Sequence, residues 1–153
     1  MTTLHDVRIR VVLAFAIGVG IVLVEAWAYG FQHWYPIGIN IVWLKMLIAF
    51  FGSFALAFKW RPLRGESPAP EPWLADLDSS GLLIPLVMVV GVTVMETVGL
   101  IRDTMIDPTT LPFNYVALAF QYFNKWLVLG LPALAGSMLA RAMSWAVNRV
   151  RVQ

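Results

Sequence analysis

Residues 39–58, INIVWLKMLIAFFGSFALAF, form an apolar run that is long enough to cross a bilayer as a helix, yet it contains one full charge, Lys45. A lysine inside such a span costs about 2.5–3.5 kcal/mol on insertion scales. Lys45 is therefore expected to face protein, water or an opposite charge. Ala49 and Ser53 follow on the same helical face, and such small residues are typical of faces where membrane helices pack closely.

Two acidic residues have equally apolar surroundings. Glu25 lies in VGIVLVEAWAYG and Glu96 in VVGVTVMETVGL, each on the smaller or more polar side of its predicted helix. Lys125, at the outer start of the fourth predicted span, adds a second cation near the rim. We therefore predict one intramembrane charge cluster formed by Glu25, Lys45, Glu96 and Lys125, in which the charges balance.

The composition assigns the chain to the membrane proteins. It has 153 residues, of which 59% are hydrophobic and 13% charged, and its mean hydropathy is +0.74. This is too apolar for a soluble domain. The absence of cysteine excludes disulfides, thiolate metal sites and a cysteine nucleophile. The net charge of +2 comes from basic residues beside apolar runs, where they set orientation, so nucleic-acid binding is not expected.

The hydropathy pattern predicts an all-α integral membrane protein with a single domain, residues 1–153, and four transmembrane helices at about 11–29, 39–58, 82–101 and 125–145. Lysine and arginine are concentrated in the N-terminus, the middle loop and the C-terminus. Both termini are therefore predicted to be cytoplasmic in a multi-pass protein of the cell inner membrane.

The hydrophilic loop 61–80 is rich in proline and is expected to be mostly extended or irregular. Within it, residues 71–78 have the pattern of a short surface helix that turns Trp73, Leu74 and Leu77 toward lipid or a partner.

The last apolar region, residues 113–147, is longer than one span requires, and Asn124-Lys125 interrupts it. Two interpretations are open. In the favoured one, an interfacial helix at 113–123 precedes the fourth span at 125–145. In the other, one long helix projects beyond the bilayer.

The charge cluster also admits more than one role. The favoured interpretation is structural: ion pairs between helices fix the packing of the bundle or dock it onto a larger membrane partner. Alternatively, Glu25 or Glu96 titrates in a site for a proton, a cation or a small anion, with Lys45 as counter-charge. In the third interpretation, the long side chains extend to the membrane interface.

No catalytic, cofactor-binding or metal-ligating residue is predicted. His5 and His33, the only histidines, are expected on opposite membrane faces, which excludes axial bis-histidine haem within the chain. The sequence has no HExxH motif, no glycine-rich phosphate loop and no Ser-His-Asp set. The chain is therefore not expected to be an enzyme.

Several features are shared with a known group: the total length, four spans with cytoplasmic termini, a glycine-containing first span, the turn at Tyr35-Pro36, and Phe51-Gly52 in the second span. In these the chain resembles the small four-helix membrane subunits of tripartite solute transporters, of the TRAP or tricarboxylate type. The resemblance implies a subunit that supports a large transport subunit and helps to receive a periplasmic binding protein. It transfers no functional residue.

The sequence thus predicts a non-catalytic small membrane subunit or accessory of a larger inner-membrane complex, with a solute transporter as the favoured complex. Its expected partners are larger integral membrane subunits and the lipid bilayer, and a homo-oligomer is compatible with the same observations. One alternative is an autonomous homo-oligomeric transporter of ions or small solutes that uses the Glu/Lys cluster. A further alternative is an accessory subunit of a respiratory or photosynthetic complex.

Overall fold

The structure, a computed structural model, describes residues 7–30, 41–58, 72–107, 109 and 115–150. The described residues are almost entirely α-helical and contain no strand. Five helices follow one another along the chain: α1 (Val7–Gly30), α2 (Ile41–Ala57), α3 (Pro72–Ser80), α4 (Leu83–Ile106) and α5 (Tyr115–Val150).

Three helices are long and apolar enough to cross a membrane, and the segments that meet this criterion are Val7–Trp27, Leu83–Ile106 and Leu118–Val147. The apolar segment of α2, Val42–Ala57, is shorter. The prediction of an all-helical membrane protein is therefore confirmed. The count of four spans remains a prediction, because the residues on the N-terminal side of α2, 31–40, lie outside the described part of the chain.

The four apolar helices, α1, α2, α4 and α5, run alternately up and down. Consecutive helices are antiparallel: Lys45 of α2 meets the end of α1, and Lys125 of α5 meets the middle of α4. The most extensive packing, however, joins helices that run in parallel, α1 with α4 and α2 with α5. The bundle thus has two parallel helix pairs, and the starts of α1 and α4 lie at the same end.

Glycines let the parallel helices approach each other backbone to backbone. Gly18 of α1 lies against the Met88 carbonyl, Gly91 of α4 lies against the α1 backbone, and Gly136 of α5 lies against the Phe50 carbonyl. A Cβ atom at any of the three would collide with those backbone atoms, so a side chain there would force the helices apart.

Small and apolar side chains fill the centre of the bundle. The core cluster includes Ala14 and Ile21 of α1, Ala49 of α2, Met88 of α4 and Ala133 of α5. Near it, the buried Ser53 hydroxyl donates a hydrogen bond of 2.6 Å to the Ala133 carbonyl, which ties α2 to α5. Many large apolar side chains point outward and are exposed, such as Phe51, Val98 and Leu131. This surface suits lipid or another membrane protein.

Helix α5 corrects the favoured prediction for the last apolar region. Residues 115–150 form one continuous helix, so no separate interfacial helix precedes a span at 125–145 among the described residues. The polar pair Asn124-Lys125 does not end the helix, because Lys125 forms an ion pair with Glu96 of α4. Pro132 also lies inside the helix, where neighbouring helices commonly allow a proline in a membrane bundle. The alternative of one long helix describes α5.

The hydrophilic loop is partly helical. Residues 61–71 lie outside the described part of the chain, and 72–80 form α3, with Pro72 at the first helical position, which tolerates the missing N–H. Gly81, at a φ of +83°, turns the chain from α3 into α4 and has the Arg141 side chain packed over it. The predicted short surface helix is therefore present as α3.

Candidate functional site

The first ion pair between the apolar helices joins α1 and α2. Lys45 Nζ donates a hydrogen bond of 2.7 Å to Glu25 Oε1. Lys45 is buried, with 7% of its surface exposed, so the lysine does not extend to the surface as the third interpretation of the cluster required. Lys45 lies on the same face of α2 as the buried residues Ala49 and Ser53, as the small residues of this helix predict.

The second ion pair joins α4 and α5. Lys125 Nζ donates to Glu96 Oε2 at 2.5 Å. Two polar contacts continue the same interface: the Trp126 indole N–H donates to the Thr93 hydroxyl at 2.9 Å, and the hydroxyls of Thr97 and Tyr122 lie 3.2 Å apart. Thr93 and Thr97 on α4, and Tyr122 and Trp126 on α5, are each four residues apart, so polar groups line about one turn of this helix interface around the ion pair.

The structure therefore sorts the four predicted residues into two separate pairs at one end of the bundle. Lys45 is bound to Glu25 and not to Glu96, whereas Glu96 is bound to Lys125. The sequence predicts Lys125 only as a second cation near the rim, but its contact with Glu96 is as direct as that of Lys45 with Glu25. Each pair connects two antiparallel helices: the first joins α1 to α2, and the second joins α4 to α5.

A cavity of about 380 Å³ opens beside both acids, between α1, α4 and α5. Glu25, Glu96 and Lys125 line it, together with Arg102 and Asp103 one to two turns further along α4. Arg102 and Asp103 form an exposed ion pair of 2.7 Å at its rim. The apolar part of the lining comes from side chains such as Val22, Leu23, Met95, Leu100 and Leu118.

A buried ion pair that was not predicted lies at the opposite end of the bundle. Arg10 of α1 donates two hydrogen bonds, of 2.9 and 3.0 Å, to the two carboxylate oxygens of Asp78 in α3. Both side chains are more than nine-tenths buried. Such a bidentate pair fixes the orientation as well as the separation of its partners. It holds the short polar helix α3 against the start of α1.

The positions of Arg10 and Asp78 in the sequence are compatible with this pair. Arg10 directly precedes the first apolar run and Asp78 shortly precedes the third, so parallel packing of α1 and α4 brings the two residues to the same level. Next to them, the buried Ser137 hydroxyl of α5 donates to the Gly81 carbonyl at 2.8 Å. This end of the bundle is therefore closed by polar contacts of α1, α3 and α5.

The described residues show no arrangement suited to a metal ion, since they contain no group of three or more His, Asp or Glu side chains that could hold one. The turn after α4 has one shifted group: the Thr109 hydroxyl and, second, its backbone N–H donate to Asp107 and lower the pKa of that carboxyl. Asp107 is fully exposed and lies outside the helices that could span a membrane.

Comparisons with protein-family models, with curated proteins and with solved structures find no match for the chain. The resemblance to small subunits of tripartite transporters stays a prediction. Of the residues that carry it, Phe51 and Gly52 lie in α2, where Gly52 packs against Ile17 and Met88, and the Tyr35-Pro36 turn lies outside the described residues.

Replacing Lys45 with Met is expected to lower the free energy of unfolding by about 3–5 kcal/mol, because the Glu25 carboxylate then remains inside the bundle without a cation. Adding Glu25→Gln should restore most of the loss, because it removes the stranded charge. Adding Glu96→Gln should not, since Glu96 is bound to Lys125. Thermal unfolding in a mild detergent measures these differences.

Arg102→Gln is the matched control, because the exposed Arg102–Asp103 pair should contribute less than about 1 kcal/mol. A Lys45→Met variant as stable as the unmodified protein would show that the Lys45–Glu25 pair does not hold the bundle together. Equal rescue by Glu25→Gln and Glu96→Gln would show that the two pairs are not separate.

Proposed function

We propose that this chain is a non-catalytic small membrane subunit that supports a larger complex of the inner membrane, with a solute transporter as that complex. The observation that carries the proposal is that both intramembrane acids are bound to lysines of the same chain, at 2.7 and 2.5 Å. Charges that are satisfied in this way fix how helices pack. They make a bundle that is rigid before it meets a partner.

The packing of the bundle supports a structural role over transport by the single chain. The cavity beside Glu25 and Glu96 is lined by residues from one end of α1, α4 and α5. Beyond it, the close approaches at Gly18 and Gly91 bring the α1 and α4 backbones into contact, and Arg10 binds Asp78 at the far end. Within the described residues, the cavity therefore does not continue toward the other end of the bundle.

The outward surface supports docking in the membrane. Side chains on one face of α4 form an apolar stripe at helical spacing that is exposed to its end: Leu86, Val90, Val94, Val98, Ile101 and Met105. Lipid tails or the helices of a larger subunit can cover such a surface without cost. A chain with a stable interior and an apolar exterior matches the subunit that the resemblance to tripartite transporters implies.

We propose further that all four long apolar helices span the membrane and that both termini are cytoplasmic. The alternation of the helices supports an even number of spans, and the basic residues near the ends of the chain support the orientation. A cysteine introduced at Gln32 should react with a thiol reagent that cannot cross the membrane, and cysteines at Thr2 and Ser67 should not. Labelling at Ser67 in intact cells would overturn this topology.

A second candidate is an autonomous homo-oligomeric transporter of ions or small solutes. The specific observation in its favour is that carboxylates of two helices, Glu25 and Glu96, line one cavity. In that case several copies would have to complete a path that one copy does not contain. An accessory subunit of a respiratory or photosynthetic complex differs from the main proposal only in its partner.

The subunit proposal predicts that the tagged chain, extracted from its native membrane in a mild detergent, elutes in a complex of defined stoichiometry with a larger integral membrane protein. Deleting the chain should reduce solute uptake by that protein. The purified chain alone should give liposomes no flux above that of empty liposomes. Flux through the chain alone would contradict the subunit role and favour the homo-oligomeric transporter.

A further inference from the structure

The cavity beside Glu25 and Glu96 has features that would not be needed if the ion pairs served packing alone. Its volume of about 380 Å³ falls in the range of sites that hold small ligands, roughly 300–1,000 Å³. It is bounded by three helices, and it combines a mostly apolar wall with a few charged groups from different helices. This combination is typical of binding sites for small molecules or for parts of larger amphiphiles.

The inner part of the cavity offers two carboxylate oxygens for a ligand. Glu25 uses Oε1 and Glu96 uses Oε2 to bind their lysines. The second oxygen of each carboxylate accepts no hydrogen bond from the described residues, although an ionised carboxylate has about four acceptor sites. Both side chains are about one-fifth exposed or slightly less and line the cavity, so a donor that enters it can reach them.

The rim offers the opposite charge. Arg102 lines the same cavity six residues beyond Glu96, which places it about 9 Å further along the α4 axis. Its side chain is 71% exposed, and its Nε and Nη2 donate to Asp103. A guanidinium group has five N–H donors, so Arg102 keeps donors for an anion while it contacts Asp103.

The charges of the site cancel. The acids that line the cavity, Glu25, Glu96 and Asp103, are matched by Lys125 and Arg102 in the lining and by Lys45 behind Glu25. A ligand with a net charge would upset this balance in a surrounding of low dielectric constant, whereas a zwitterion would not. The inner part of the site offers carboxylate oxygens of Glu25 and Glu96 that their lysines do not use, and the rim offers the remaining N–H donors of Arg102. This difference sets the direction in which a zwitterion would lie.

We propose that this cavity binds a zwitterion whose primary ammonium group enters between Glu25 and Glu96 and whose anionic group is held at the rim by Arg102. A primary ammonium has three N–H donors that can reach such carboxylate oxygens, and a quaternary ammonium has none. The site therefore discriminates between the two. Either the headgroup of an ethanolamine phospholipid or a free zwitterionic solute supplies this chemistry, and the site stands whether or not the chain docks on a larger partner.

The test uses matched ligands that differ only in the methylation of the amine. The purified full-length chain in a mild detergent is titrated with phosphatidylethanolamine or phosphatidylcholine, and separately with free phosphoethanolamine or phosphocholine. The thermal unfolding midpoint gives the apparent affinity. The primary amine should bind about tenfold more tightly in one of the two series, the factor that loss of one charge-assisted hydrogen bond of about 1.4 kcal/mol produces.

Selectivity in the lipid series assigns the site to a phospholipid headgroup, and selectivity in the free series alone assigns it to a soluble zwitterion. Equal binding of primary and quaternary amines in both series would overturn the proposal. Tighter binding of the anionic lipid phosphatidylglycerol than of phosphatidylethanolamine would overturn it as well, because the site would then be selective for anions.

Arg102→Gln tests the rim. It should weaken binding of the selected ligand about tenfold while leaving the unfolding midpoint without ligand nearly unchanged, because its ion pair is exposed. Arg149→Gln is the matched control: Arg149 is also an exposed arginine, but it stacks on Trp145 at the other end of the bundle. If both variants bind the ligand equally well, Arg102 does not hold the anionic group and the proposed orientation is wrong.

Discussion

A charge inside an apolar helix bundle must meet an opposite charge, because its cost in a medium of low dielectric constant exceeds what packing around it returns. Lys45 meets Glu25 and Lys125 meets Glu96, and both contacts can form only if α1 lies beside α2 and α4 beside α5 in one register. A one-turn slip of either helix would separate the charged groups by about 5.4 Å along the axis. The ion pairs therefore select the register of the antiparallel neighbours.

The parallel neighbours are selected by shape. Gly18 and Gly91 bring α1 onto α4, and Gly136 brings α5 onto α2. Glycine at these crossings and ion pairs at the charged end act on different helix interfaces, so together they determine all four sides of the bundle. In contrast, a Cβ at Gly20 or Gly99 would meet nothing, so these glycines do not contribute to the crossings.

The sequence predicts α1, α2 and α4 to within a few residues, because apolar length is a local property. It also singles out Lys45, because a charge inside a span is conspicuous. It does not predict which acid meets which lysine. That choice depends on the order of the helices around the bundle. Each lysine could pair with either acid, and the sequence does not determine that order. The sequence does not predict the Arg10–Asp78 pair, because charged residues beside apolar runs are usually solvated. Both side chains are buried here because α3 packs on α1. The sequence does not predict that α5 is continuous, because the polar residues Asn124 and Lys125 resemble a helix boundary. The contact of Lys125 with Glu96 on α4 is not visible in the sequence.

The most direct test of the two separate ion pairs measures the proximity of lysine Nζ to glutamate carboxylate carbons by solid-state NMR of isotope-labelled protein in lipid bilayers. The chain has three lysines, Lys45, Lys59 and Lys125, so substitution assigns each signal. We expect one contact with Glu25 that disappears in Lys45→Met and another with Glu96 that disappears in Lys125→Met. A contact between Lys45 and Glu96, or no contact for either lysine, would contradict it.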